Sequence, residues 1–113
     1  MATSTAWLYV INAASLQILR KSHNGITIAA TQPGNYIVTL PFRVQGLAAV
    51  GSIANSIGVI TVIPGESGGL ARNQVKVLTL TLANQLSGGY DFSLAIFYQP
   101  RWSLWPIPWR RSL

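Results

Sequence analysis

The sequence predicts an all-β chain folded as a single antiparallel β-sandwich of about eight short strands, with an extended C-terminal tail. Three observations carry that expectation. Apolar residues recur with a period of two or run continuously, rather than at the helical spacing. β-branched residues are abundant. Gly, Pro and Asn punctuate the chain roughly every 10 residues, the spacing of a sandwich or barrel.

The elements follow in order. Residues 7–11, from Trp7 to Ile11, read as a first strand bounded by Asn12. Residues 16–20 form a second apolar segment, either strand or short helical turn. Asn24-Gly25 marks a tight turn, since both residues tolerate positive φ. Residues 26–30 follow as a strand, and Thr31-Gln32-Pro33-Gly34 as a turn. Residues 35–41 alternate, with Tyr36, Val38 and Leu40 on one face and Ile37 and Thr39 on the other. Residues 47–53 read as an apolar strand with Gly51 as the expected site of a bulge. Residues 58–63 are a short strand ending at Pro64, followed by the Gly/Ser loop 65–69. Residues 74–82 alternate cleanly, with Val75, Val77, Thr79 and Thr81 sharing a face. Residues 84–89 turn, and residues 90–98 close the domain with Phe92, Leu94, Ile96 and Tyr98 on one face. Ala95 and Phe97 oppose them. An apolar residue on both sides of a strand implies that the outer face of a sheet is also covered.

From Arg101 the character changes. Residues 101–113 hold three Trp, two Pro and three Arg, and Pro106 and Pro108 forbid a helix. The expected organisation is a sandwich over residues 1–100 and an extended arm over residues 101–113.

Composition narrows function. Charged residues make up 9% of the 113-residue chain, where about 25% is usual. A small domain with so few charges is expected to have part of its surface covered by neighbours. The net charge of +6 comes from dispersed basic residues, clustered with aromatics only in the arm. The start of the chain lacks the pattern of a signal peptide, so synthesis in a cytoplasm is expected. No run of about 18 apolar residues exists to span a membrane. With 0 Cys there is neither a disulfide framework nor a thiolate metal site.

Gly34-Asn35-Tyr36-Ile37-Val38-Thr39-Leu40-Pro41 and Gly89-Tyr90-Asp91-Phe92-Ser93-Leu94 carry a resemblance. With them, residues 25–98 resemble the small jelly-roll heads of phage fibres, virion decoration proteins and C1q/TNF-like trimers. That resemblance implies a jelly-roll sandwich and a threefold homotrimer with apolar residues along its axis.

Few residues of the chain can carry chemistry. Gly65-Glu66-Ser67-Gly68-Gly69 matches the nucleophile pattern G-x-S-x-G, but no helix is expected after it, and the one histidine, His23, lies upstream. One Glu and one Asp offer no general acid–base pair, and one His with two acids makes no metal site within a subunit. His23 reads as a solvated turn residue, and Asp91 as a partner for a turn. No enzyme activity, cofactor or small-molecule substrate is expected.

The arm is the candidate binding element, through Arg101, Trp102, Trp105, Trp109, Arg110 and Arg111. Trp and Arg concentrate binding energy because each buries large area and Arg adds a fork of donors. Contact with a neighbouring subunit is the first reading, and packing on its own sandwich the second. An interfacial membrane segment, as in indolicidin-like peptides, and nucleic acid rank below both. The expected function is a homotrimeric decoration or cement protein of a virion, anchored through the arm to major capsid protein or another virion subunit. The alternative is a fibre-tip domain recognising a receptor or carbohydrate.

Overall fold

The computed structural model describes residues 3–12 and 15–100. They form eight strands: β1 (Ser4–Ile11), β2 (Gln17–Lys21), β3 (Thr27–Gln32), β4 (Asn35–Thr39), β5 (Val44–Ile53), β6 (Val59–Pro64), β7 (Gln74–Leu80) and β8 (Phe92–Pro100). All pairings are antiparallel, in two sheets of four. Sheet A runs β2-β1-β8-β5 and sheet B runs β3-β4-β7-β6. The all-β sandwich is therefore as the sequence predicts. The strand order does not confirm the jelly-roll connectivity. β1–β2, β3–β4 and β6–β7 pair between sequence neighbours, while β1–β8, β4–β7 and β5–β8 pair across the chain.

The core follows from alternation. Tyr36 and Val38 of β4, with Leu40 just beyond it, are buried, as are Val75, Val77 and Thr79 of β7. Sheet A answers with Leu8 and Val10 of β1 and Phe92, Leu94, Ile96 and Tyr98 of β8. The Tyr36 and Phe92 rings, 5.6 Å apart, join the two sheets through the middle of this layer. Thr79 is the buried polar residue, and its hydroxyl donates to the Ser87 carbonyl at 2.7 Å. That bond removes the cost of leaving a hydroxyl unpaired in an apolar layer.

Several boundaries differ from the sequence expectation for local reasons. The 16–20 segment is strand, displaced by one residue to Gln17–Lys21. Asn24-Gly25 does form a turn, with Gly25 at φ 90°, but it carries the chain from β2 in sheet A to β3 in sheet B. Thr31 and Gln32 belong to β3, because Gln32 pairs with Asn35 and leaves only Pro33-Gly34 as the loop. Gly34 takes φ 87° after Pro33, as position i+2 of a type II turn requires.

Gly51 is not a bulge. Its register with Leu94 is regular, and the β5 irregularity falls between Val44 and Gly46. A side chain at Gly51 would meet Ile60 Cδ1 at 2.8 Å and Val62 Cγ2 at 3.1 Å, so glycine lets β6 approach β5 where the sheets meet. β7 stops at Leu80, and Thr81 turns locally through hydrogen bonds with Gln85 and Asn84. β8 starts at Phe92. The Asp91 N–H is instead used by the Asn55 side chain at 2.9 Å.

Candidate docking surface

The arm residues singled out by sequence, Arg101, Trp102, Trp105, Trp109, Arg110 and Arg111, lie outside the described residues. The described surface offers a different concentration of binding chemistry, on the outer face of sheet A.

Register builds it row by row. Trp7 of β1 stands opposite Ala95 of β8, which stands opposite Val50 of β5. One step along, Thr5, Phe97 and Ala48 form a second row. On the other side, Arg20, Tyr9, Ser93 and Ser52 form a third. Since Ala6, Leu8 and Val10 point inward, the alternating residues of the same strand must point out. β2 adds Leu19 through a register irregularity, where Tyr9 pairs with Arg20 but Val10 pairs with Ile18. The extra residue leaves Leu19 outward, while Ile18 packs against the core.

Relief comes from residue size. The outward residues of β8 at this level, Ser93 and Ala95, are short, with Trp7 and Tyr9 on one side and Val50 on the other. The result is an open apolar depression of about 630 Å³ lined by Trp7, Leu19, Val50 and Ala95, among others. Trp7 is 47% exposed, Leu19 51%, Val50 59% and Phe97 42%. No charge lies on β1, β5 or β8, so Arg20 at the rim is the cation nearest the middle of the face. Large apolar side chains gathered on one charge-poor face are the recognised mark of an interaction surface.

The rest of the described surface is weaker. Ile57, Leu82 and Leu86 are exposed in the loops after β5 and β7, and Val59 is exposed at the start of β6, opposite Leu80 at the end of sheet B. A cleft of about 370 Å³ is lined by Arg43, Val44, Arg72 and Asn73. Arg72 there already pairs with Glu66 at 3.0 Å, an exposed contact that halves the cleft's positive charge.

The catalytic pattern is occupied by structure. The 65–69 loop is closed by bonds from Gly68 N–H to the Pro64 carbonyl and from Leu70 N–H to the Gly65 carbonyl. His23 is half-buried, not a solvated turn residue. It bonds Ser22 Oγ at 2.7 Å through Nδ1 and meets Phe42 edge-on at 5.5 Å. Asp91 accepts the Asn12 N–H at 2.8 Å, tying the end of β1 to the start of β8 rather than closing a local turn. Among the described residues no three His, Asp or Glu side chains gather to hold a metal ion.

Two-sided apolarity is written in the last strand, where Ala95 and Phe97 oppose Leu94 and Ile96. The same signal was present in Ala6-Trp7-Leu8-Tyr9-Val10, where both phases are bulky, and in the absence of charge from three strands of one sheet.

Compared with protein-family models, curated proteins and solved structures, the chain matches none. The functional reading therefore rests on the chain's own surfaces.

Proposed function

We propose that this chain is a non-enzymatic structural subunit that assembles as a homotrimer and attaches to a neighbouring subunit through residues 101–113. The observation that carries this reading is the outer face of sheet A, whose strands β1, β5 and β8 carry no charge, with Trp7, Leu19, Val50 and Phe97 exposed together. Covering such a face yields about 25 cal/mol per Å² of apolar area removed from water. Few charges elsewhere oppose close approach of copies, since the chain has only 10 charged residues among 113. The finer setting is a virion, with the chain as a decoration or cement protein, and the support for that setting is the resemblance carried by residues 34–41 and 89–94.

Sedimentation velocity of the full chain tests the assembly reading. A species of three times the 12.2 kDa chain mass is expected, its share rising with concentration. A lone 12.2 kDa species at every concentration overturns it.

A further inference from the structure

The outer face of sheet A and the Trp-rich arm are two apolar features whose partners the assembly reading leaves unnamed. We propose that they are each other's partners between copies: Trp105-Pro106-Ile107-Pro108-Trp109 of one subunit docks in the apolar depression on sheet A of the next. The inference rests on the assembly reading and names its contact.

Chemistry matches on both sides. The face presents Trp7, Tyr9 and Phe97 with the aliphatic side chains of Leu19 and Val50. Proline-rich segments dock on aromatic-lined surfaces because their extended backbone loses little entropy on binding and their rings pack flat. Residues 101–113 contain no acid, and neither does the face, so docking strands no carboxylate. Arg110 and Arg111 follow the docked segment and are free to stay in water at its end.

Length permits the contact. The described chain stops at Pro100, the last residue of β8, and 13 residues follow. Residues 101–104 link Pro100 to the docking segment, so at about 3.3 Å per residue Trp105 reaches about 17 Å from Pro100. A four-stranded sheet is about 15–20 Å across, so the segment reaches the face of a neighbour packed against that end of β8.

Direction favours the neighbour over the same subunit. β8 runs from Ser93 and Ala95, which lie at the depression, through Phe97 to Pro100, away from it. Returning to its own depression would require a reversal just past Pro100. Residues 101–104 are Arg, Trp, Ser and Leu, in which Ser103 is the one residue that favours a turn. An arm placed into the next copy's groove is a heterologous contact, which closes into a ring when the rotation between copies permits.

Mixing two full-length variants tests this. Val50→Glu blocks the face and keeps the arm; Trp105→Ala with Trp109→Ala disables the arm and keeps the face. Val50 is 59% exposed, so the substitution leaves the core intact, and circular dichroism checks that each variant is folded. Each variant alone is expected to sediment as a monomer. Their equimolar mixture is expected to give a heterodimer of about twice the 12.2 kDa chain mass, from one intact arm in one intact face. No heterodimer on mixing, as for a face-to-face contact, overturns the inference. So does an arm variant that still assembles like the wild type. Either result leaves assembly itself standing, whereas a monomeric wild type removes both readings.

Discussion

The two sheets share one core but present different outer faces. On sheet B the outward positions interleave Thr27, Thr39, Thr61, Gln74 and Lys76 with Ile37, Leu78 and Ile63, the last three only half-exposed. On sheet A the outward positions of the central strands include Trp7, Tyr9, Ala95 and Phe97 as well as Thr5 and Ser93, with Val50, Leu19 and Arg20 beside them. Both faces are poor in charge, so the low charge content alone does not mark the interface. What distinguishes sheet A is that Trp7, Leu19 and Val50 are exposed around one depression, whereas on sheet B the exposed large apolar side chain is Val59 at the start of its edge strand β6. A sheet that is apolar on both sides needs cover on both sides.

The largest effect contrasts the two sides of a single strand. Phe92 and Phe97 both belong to β8, but Phe92 is buried and Phe97 is 42% exposed. Phe92→Ala is expected to cost about 3–5 kcal/mol, because it empties the layer between the sheets. Phe97→Ala is expected to cost less than about 1 kcal/mol in the monomer. Urea denaturation of the two variants measures the difference. Equal losses would mean that the outer face of sheet A is structurally as important as the core, and the contrast between faces would fail.

A smaller effect sharpens how the sheets are joined. Gly51 of β5 lies against Ile60 and Val62 of β6. Gly51→Val is expected to cost about 1–3 kcal/mol through overpacking, read as a lower denaturation midpoint. An unchanged midpoint would show that the two edges part easily.

The strands were legible in the sequence because inward residues alternate strictly in residues 35–41, 74–80 and 92–98. The all-β class and most of the core followed from that. Sheet membership was not legible. Asn24-Gly25 signals a turn, but nothing local says whether a turn joins paired strands or crosses between sheets. Gly51 is ambiguous for a similar reason: a glycine inside a strand fits either a bulge or a close approach, and only the β6 side chains decide. The docking surface was half legible. Strand 8 showed apolar residues on both sides, but Trp7, Leu19 and Val50 join that face only once register places β2, β1 and β5 around it. Leu19 depends further on the irregularity in β2, which no sequence pattern marks.

The smallest change in stability carries the most direct test. Val50→Glu on sheet A and Thr61→Glu on sheet B both place one carboxylate at an exposed strand position, and each is expected to alter monomer stability by about 0.5 kcal/mol or less. Their self-association is measured side by side with the wild type by sedimentation velocity over a concentration series. Val50→Glu is expected to remain monomeric where the wild type and Thr61→Glu form the trimer. Trimer formation by Val50→Glu at wild-type concentrations, or its loss in Thr61→Glu alone, would contradict the assignment of the outer face of sheet A as the surface through which copies meet.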